Sequence, residues 1–393
     1  MNPKIFKLQG KVQHYAWGGY EFIPQLLGFE NHDQAPCAEY WMGAHQSASG
    51  TLETEHGLQS WYDLIQQQPL EHLGEKVYRQ FGELPYLFKV LDVKEMLSIQ
   101  VHPSREEAKK GFEREEAAGV PVNAPHRNYK DKNHKPEVMV ALGEFWLLHG
   151  FKKEGELMQV LQSVPEFNVL NSAFLKDGYL GLYKMAMEMP QQEADSFLLP
   201  LIRRETASPH TKNQPGYWVS KLYNGEIPGE NIDKGIFSIY FFNIVGLKEG
   251  EAIFQGAGVP HAYLEGQNIE LMANSDNVLR GGLTPKHVDV PELLKHIVFE
   301  GIEPNILSGN ISGHELSYPL PATDFGISAV RLQNGREYLS KSNAAEIFLV
   351  LKGEVSCDDL ICKKGEVFVV LPEAEYTIRG IEDAVLYKAF VPV

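Results

Sequence analysis

The chain has 393 residues, of which 43% are hydrophobic and 22% charged, so it is long enough for two or three globular domains. Its formal net charge of −16 argues against nucleic acid as a partner, because binding a phosphate backbone requires a basic surface. The charge does not exclude a small anionic substrate, which a few local cations can hold.

The cellular compartment follows from what the chain lacks. Apolar runs such as IFLVL are too short to span a membrane, and the stretch MNPKIFKLQGKVQHY has no apolar signal region. Three cysteines, Cys37, Cys357 and Cys362, fit a reducing compartment better than a disulfide scaffold. We therefore expect a cytoplasmic protein with no membrane partner.

Residues 1–55 contain two stretches rich in aromatic residues and glycine, HYAWGG (14–19) and CAEYWMGAHQSASG (37–50). Strand alternation would place Glu39, Trp41 and Gly43 on one face. These side chains either line a pocket or belong to a partly buried strand with surface loops. The sequence leaves both interpretations open.

The stretch SIQVHP alternates strictly between polar and apolar residues, which predicts a half-buried strand. Ser98, Gln100 and His102 share its polar face. Gln and His two residues apart project the same way, about 7 Å from each other, and can bind one metal ion. A polar face against water is the alternative. Beyond Pro103, Ser104 and Glu107 have capping-box spacing and predict the start of a helix.

A long loop at residues 120–134 leads into HKPEVMVAL (134–142). If this stretch is extended, Lys135 and Glu137 point the same way. The pair suits a metal ligand beside an anion-holding group, or it is a surface ion pair.

Residues 151–233 have apolar residues three and four apart, which predicts a mainly helical region.

From residue 236 we expect strands again. One of them places His261 and Tyr263 on a common face after GVP, and Glu270 lies in a later apolar run. A polar run that includes Asp276 then leads to Arg280 and two glycines, which let backbone and guanidinium approach an anion closely. The last 85 or so residues have the pattern of a small all-β sandwich or barrel.

The potential ligands Gln100, His102, Glu137 and His261 come from three separated predicted strands. Two imidazoles, a carboxylate and an amide oxygen suit zinc with one position left open, although iron, manganese or cobalt can take similar ligands. Spacing alone does not decide whether the four share a site.

Longer motifs carry a resemblance. The stretches YAWGG, AEYWMGAH, PYLFKVLDVKEMLSIQVHP, NYKDKNHKPE, GVPHAYL and ELMANSDNVLRGGLTPKHVD resemble the type I mannose-6-phosphate isomerase (phosphomannose isomerase) family over nearly the whole chain. The resemblance implies a mainly β protein with a cupin-type (jelly-roll) β-sandwich catalytic domain. It further implies an all-α inserted domain and a C-terminal cupin-like β domain without metal. We place the catalytic domain at residues 1–150 and 234–300, the insertion at 151–233 and the C-terminal domain at 301–393.

The resemblance also implies one zinc ion per chain and assigns roles to individual residues. Zinc would lie on Gln100, His102, Glu137 and His261, and Arg280 takes the family's catalytic arginine place. The implied reaction interconverts mannose 6-phosphate and fructose 6-phosphate by proton transfer between C1 and C2 through a cis-enediol. Candidate proton carriers are Glu270, Asp276, Lys135 and a zinc-bound water. For the phosphate we expect Ser98, Lys89 and Lys286, with Arg280 as a further candidate, and for the pocket walls Trp17, Glu39 and Tyr263.

Two alternatives stay open at this point. A non-catalytic metal-containing sugar-phosphate sensor would keep the same pocket. Another metal-dependent cupin enzyme, such as an oxygenase, would have little use for the lysines and the arginine. We expect a small-molecule sugar phosphate as the ligand and a monomeric chain.

Overall fold

The structure is a computed structural model that describes residues 4–393. Residues 4–151 form nine strands and five helices. The strands are β1 (Ile5–Gln9), β2 (Lys11–Gln13), β3 (Glu39–Met42), β4 (Thr51–Thr54), β5 (Gly57–Ser60), β6 (Tyr86–Val93), β7 (Gln100–Val101), β8 (Glu137–Ala141) and β9 (Phe145–Phe151). The helices are α1 (Phe22–Leu27), α2 (Trp61–Gln67), α3 (Pro69–Leu73), α4 (Glu75–Phe81) and α5 (Arg105–Ala117).

A helical region follows, as predicted for residues 151–233. Its helices are α6 (Glu154–Ser163), α7 (Asn168–Glu188), α8 (Gln191–Thr206), α9 (Pro215–Leu222) and α10 (Gly235–Phe241). The prediction of strand from residue 236 is wrong, because α10 occupies 235–241 and strand begins only at Phe242. None of the helices within residues 4–393 combines the length and the apolarity needed to cross a membrane.

The rest of the chain is again mainly β. Its strands are β10 (Phe242–Leu247), β11 (Ala252–Gln255), β12 (His261–Ala273), β13 (Leu279–Arg280), β14 (Ile306–Leu307), β15 (Asn310–Ser312), β16 (Glu315–Ser317), β17 (Gly326–Leu332), β18 (Glu337–Lys341), β19 (Glu346–Lys352), β20 (Glu354–Cys357), β21 (Leu360–Lys363), β22 (Val367–Val370), β23 (Glu375–Gly380) and β24 (Ala384–Phe390). The helix in this part is α11 (Val290–His296).

An eleven-stranded sheet carries the candidate site. Its main path runs β14-β11-β8-β12-β6-β3-β2, and β7, β9, β10 and β13 join it through β12 and its neighbours. All eight residues of β6 are buried. Phe88 and Val90 pack into the main hydrophobic core on one face, whereas Leu91 and Val93 pack into a separate cluster on the other. Lys89 lies between Phe88 and Val90 in the strand, so it points to the opposite face, the one that carries Leu91, Val93 and the candidate site.

A nine-stranded sheet lies across the main core in the order β15-β16-β17-β24-β19-β22-β1-β4-β5. Strand β1 pairs with β22, with Ile5 opposite Val370, so segments from opposite ends of the sequence share this sheet. A four-stranded sheet, β18-β23-β20-β21, packs against its other face around residues such as Phe348 and Ile378. The C-terminal strands thus form a sandwich. The predicted division into domains stays a prediction.

Strand β12 joins the two walls of the candidate site. Its first residues pair with β9, with His261 opposite His149, and its later residues pair with β6 and β8, with Glu270 opposite Lys89. Gly266 lies at the change of partner with φ of 125°, where an added Cβ would lie 2.6 Å from the carbonyl oxygen of Glu144. Glycine permits both the bend and the close approach. One strand therefore supplies residues to both walls.

Candidate active site

Three buried side chains converge at the end of β7, β8 and β12. Nε2 of His102 lies 3.4 Å from Oε1 of Glu137, and Nε2 of His261 lies 3.3 Å from Oε2 of the same carboxylate. One ligand atom from each residue lies within 4.8 Å of the other two. The structure thus brings together three of the four residues predicted to bind a metal.

Hydrogen bonds to backbone carbonyls orient both imidazoles. Nδ1 of His102 donates to the carbonyl oxygen of Asn277 at 3.0 Å, and Nδ1 of His261 donates to that of Val259 at 3.0 Å. With Nδ1 protonated, Nε2 carries the lone pair and faces Glu137. Burial lowers the pKa of His102 to about 4, so its ring is neutral at physiological pH.

The cluster fits a cation. Nε2 of His102 is buried and has no hydrogen-bond partner, which is costly for a polar atom unless something occupies the space beside it. Burial alone would raise the pKa of Glu137, but Lys135 and His102 hold it well below its usual range. Two imidazoles and an ionised carboxylate form a donor set typical of zinc.

Gln100, the fourth predicted ligand, lies on the short strand β7, which pairs with β12 and with β13. It is opposite His261 on one side and opposite Arg280 on the other. Its side chain lines a small cavity of about 50 Å³ together with Glu137 and His261. The strand is shorter than the sequence predicted, because only Gln100 and Val101 form β-sheet pairs.

A second buried group of charges lies beside this cluster. Nζ of Lys89 lies 3.1 Å from Oε2 of Glu270 and 3.3 Å from Oε2 of Glu39. Burial opposes the charge on Lys89, but Glu39 and Glu270 raise its pKa above the ordinary value. Burial also raises the pKa of Glu270, whose Oε1 accepts a hydrogen bond of 2.8 Å from the hydroxyl of Tyr263.

The ion pair between Lys135 and Glu137 is buried, with Nζ 3.0 Å from Oε1. The surface alternative for this pair is therefore wrong. Across the whole group, three buried carboxylates face two ammonium groups, so one negative charge is left over when all five are ionised. An added cation would offset that charge.

A cavity of about 720 Å³ opens next to these buried groups. Most of the predicted substrate and catalytic residues line it, namely Trp17, Glu39, Lys89, Ser98, Lys135, Asp276, Arg280 and Lys286. Partial burial lowers the pKa of Lys286, and the charges of Arg280 and Lys130 lower it further. Three cationic groups thus share one part of the cavity wall, which suits an anion with two negative charges.

The comparisons with known proteins agree with one another. Residues 5–154 match the family model described as phosphomannose isomerase type I, catalytic domain. Over 386 residues the chain is 38% identical to the mannose-6-phosphate isomerase of Escherichia coli (strain K12), which covers 95% of this chain and 97% of that protein. The chain belongs to the type I phosphomannose isomerase family. The human mannose-6-phosphate isomerase is 34% identical over 325 residues, covering 76% of this chain and 74% of that protein.

Solved structures of the family have the same fold. A variant of phosphomannose isomerase from Salmonella typhimurium superposes with a TM-score of 0.91 at 35% identity, over 100% of both chains. A mannose 6-phosphate isomerase described as holo and zinc bound superposes with a TM-score of 0.90 at 36% identity, again over 100% of both chains. These likenesses confirm the prediction of a mainly β, cupin-type fold with a helical region.

Not every residue expected from the phosphomannose isomerase motifs has the surroundings that its role suggests. Lys89 was predicted for phosphate, but two carboxylates already match its charge. Tyr263 and Glu270 line the small cavity and not the large one. Asp276 is exposed, and its carboxylate lies 3.7 Å from Nε2 of His45.

Other residues of the cavity went unrecognised in the sequence. Lys130, Tyr15 and Thr284 line the large cavity, and Tyr15 stacks on Trp17 with ring centroids 5.9 Å apart. Lys130 belongs to the NYKDKNHKPE motif, which was a signal that could have found it. Asn277 was noted only as part of a polar run. Its side-chain oxygen accepts a hydrogen bond from the N–H of Lys130, and its side-chain nitrogen donates to the carbonyl oxygens of Asp131 and Asn133.

Proposed function

We propose that the chain is a zinc-dependent isomerase that interconverts mannose 6-phosphate and fructose 6-phosphate. The observation that carries the proposal is the unpartnered, buried Nε2 of His102, facing a carboxylate and a second imidazole beside a cavity lined by cations. Isomerases of this family are similar to this chain in both sequence and fold.

His102, Glu137 and His261 would hold one zinc ion, with the amide oxygen of Gln100 as the fourth ligand. When bound, zinc acts as a Lewis acid that polarises oxygen atoms of the sugar. The carbonyl oxygens of Asn277 and Val259 fix the two rings in the orientation that this role requires.

Lys286 and Arg280 are the main candidates for holding the phosphate, with Ser98 and Lys130 beside them on the cavity wall. A phosphate dianion would offset the mutual repulsion that contributes to the lowered pKa of Lys286. Lys89 is better suited to holding Glu39 and Glu270 in place, because its charge is already matched. Trp17 and Tyr15 provide an aromatic wall against the sugar.

The isomerisation requires a base that takes the C2 proton of the aldose and returns it to C1, while the O2 hydroxyl proton moves to O1. The intermediate is a cis-enediol, and the negative charge that develops on its oxygens needs a cation. Arg280 can stabilise that charge without losing its own proton. Glu270, which lines the small cavity, suits the base because burial raises its pKa. Asp276 and Lys135, which line the large cavity, are the other candidates.

The test is a coupled assay of fructose 6-phosphate formation from mannose 6-phosphate, with protein as isolated, after chelation and after zinc return. We expect activity to be lost and restored in parallel with about one zinc per chain, measured by atomic absorption. Arg280→Ala should lower kcat by about 10²-fold or more with zinc content unchanged. The exposed Arg336 provides a matched control variant, Arg336→Ala, with wild-type kcat.

Other outcomes would point elsewhere. A zinc-loaded protein that binds mannose 6-phosphate without turning it over would be a sensor. A protein that does not bind the sugar phosphate at all would contradict both proposals and leave another metal-dependent cupin chemistry.

A further inference from the structure

The carboxylate of Asp233 connects the helical region to the cavity wall. Its Oδ1 accepts hydrogen bonds from the backbone N–H of Gly235 at 2.7 Å and of Leu283 at 2.8 Å. Its Oδ2 accepts from the N–H of Thr284 at 2.9 Å. One side chain thus satisfies three backbone donors, two of them in the loop that follows β13, and such charge-assisted bonds are among the stronger ones in proteins.

Backbone packing brings the two segments into direct contact at the same point. A Cβ added to Gly282, whose φ is 116°, would lie 2.6 Å from Cα of Gly235. Leu283 has a φ of 54°, which is unfavourable for a residue with a side chain, and it is one of the residues bonded to Asp233. The loop therefore has a conformation that the contact with Asp233 and Gly235 helps to maintain.

Asp233 is itself held in place from the helical side. Asp195 on α8 accepts hydrogen bonds from the N–H groups of Asn231 and Ile232, each at 2.9 Å. Gln191 donates to the carbonyl of Ile232 at 2.9 Å. The segment before α10 is thus fixed to α8, and the position of Asp233 follows from that attachment.

The carboxylate lies behind the cavity wall. It lines a second cavity of about 620 Å³, which shares the wall residues Leu283, Thr284 and Pro285 with the large cavity but contains neither Arg280 nor Lys286. Asp233 is absent from the lining of the large cavity. Asp233 therefore does not contact a ligand in the large cavity, and its hydrogen bonds reach the wall of that cavity through the loop.

We propose that Asp233 is a positioning residue that fixes the loop between Arg280 and Lys286, so that both cations face the phosphate of the substrate. This inference rests on the proposed function, because it assigns the phosphate to these two side chains. Arg280 precedes the two bonded residues, Leu283 and Thr284, by three positions, and Lys286 follows them by two. Loosening the loop therefore moves both cations together.

The test compares Asp233→Ala and Asp233→Asn with the wild type in three measurements. These are calorimetric Kd for inorganic phosphate, KM and kcat for mannose 6-phosphate, and amide hydrogen exchange at Leu283 and Thr284. We expect Asp233→Ala to raise Kd and KM together by about ten-fold and to speed exchange by about the same factor, because it removes hydrogen bonds to a charged acceptor. Asp233→Asn keeps one acceptor oxygen and should have intermediate values.

Asp383→Ala is the matched control. Oδ1 of Asp383 accepts a hydrogen bond of 2.9 Å from the N–H of Asn334 in the C-terminal part of the chain, outside both cavities. This variant should leave Kd, KM and exchange at Leu283 unchanged.

Each outcome has a distinct meaning. Faster exchange at Leu283 and Thr284 with unchanged Kd for phosphate would overturn the positioning role. If Asp233→Ala does not fold, Asp233→Asn decides by the same criterion. A wild type that binds phosphate but has no isomerase activity would refute the proposed function alone, since phosphate affinity and amide exchange still measure the effect of Asp233.

Discussion

Lys286 combines partial burial with two cationic neighbours, Arg280 and Lys130. All three influences favour the neutral amine, so the pKa of Lys286 lies below the ordinary value of 10.5. The ammonium is fully present below this lowered pKa and is lost as the pH rises through it. The neutral amine holds an anion poorly, so phosphate binding should weaken as the pH rises. Because the pKa of Lys286 is lowered, this weakening should begin at a lower pH than it would for a lysine with an ordinary pKa.

We therefore expect the KM of the wild type for mannose 6-phosphate to rise with pH already below the ordinary lysine pKa of 10.5, while Lys286→Arg keeps a flatter profile, since a guanidinium stays protonated throughout. KM measured at half-unit pH steps checks this. The variant Lys364→Arg, at an exposed position, is the control and should follow the wild type. Superimposable profiles for the wild type and Lys286→Arg would show that Lys286 does not bind the phosphate.

Two buried lysines allow stability and activity to be separated. Lys89 lies between Glu39 and Glu270, and Lys388 lies 2.8 Å from Glu315 in the C-terminal sandwich. Replacing Lys89 by Met leaves the buried carboxylates of Glu39 and Glu270 without their cation, which we expect to cost about 3–5 kcal/mol of folding stability. Lys388→Met removes the cation beside the partly buried Glu315 and should cost less, because Ser328 and Tyr338 still donate to that carboxylate. Thermal melting of Lys89→Met and Lys388→Met should show a clear loss in both.

Only Lys89→Met should also lower kcat/KM, by about ten-fold or more, because it changes the charge around Glu270. Steady-state kinetics at a temperature where both variants are folded measure this difference. A comparable loss of activity in Lys388→Met would mean that the kinetic effect of Lys89→Met reports destabilisation.

Residues of the site could be predicted from the sequence where they lie within a recognisable motif. Contacts between residues that are far apart in the chain could not be predicted. His102, Glu137 and His261 were predicted together, and the structure brings them together. The partners of Lys89 were not predicted, because they lie on strands that flank β6 only after folding. Asp233 gave no signal either, since its partners in the loop, Leu283 and Thr284, lie about 50 residues away.

Local signals explain which elements were predicted correctly. The capping box at the start of α5 is present, with Ser104 accepting from the N–H of Glu107 and Glu107 bonding back to Ser104. By contrast, α10 was mistaken for a strand. All seven of its residues are buried, so its sequence has no polar face whose spacing could distinguish helix from strand.

The cap of α5 gives a prediction for a single element. Ser104→Ala should cost about 1 kcal/mol, because the N–H of Glu107 loses its acceptor. Amide exchange in the first turn of α5 should become about five-fold faster, which hydrogen-exchange mass spectrometry can resolve. The control Ser60→Ala removes the corresponding cap of α2 and should leave exchange in α5 unchanged. Equal exchange in the wild type and Ser104→Ala would show that the cap does not stabilise the helix.

At the level of the whole molecule, one hydrophobic core joins segments that the sequence suggested were separate. Leu8, Phe88 and Ile269 share this core with Phe325 and Ile347. The sequence predicted C-terminal β structure correctly, but not that β1, β4 and β5 complete its sheet. Pairing across most of the chain length depends on which edges meet in space, and strand patterns do not encode that.

A chain ending at Gly301 should therefore not fold alone. It would lose β17, β19, β22 and β24, expose the core face of the eleven-stranded sheet and leave β1 without β22. We expect an aggregated product in size-exclusion chromatography, with the full chain as control. A monodisperse fragment with native-like circular dichroism would contradict this expectation.

The pairing of β1 with β22 also has a consequence for synthesis on the ribosome. Strand β1 leaves the exit tunnel about 360 residues before its partner, which at about 5–20 residues per second is a delay of roughly 20–70 s. Until then the apolar residues of β1 have only the hairpin of β4 and β5 to pair with. Strand β1 is thus translated long before its pairing is completed, and chaperones that bind nascent chains have a long opportunity at residues 5–9.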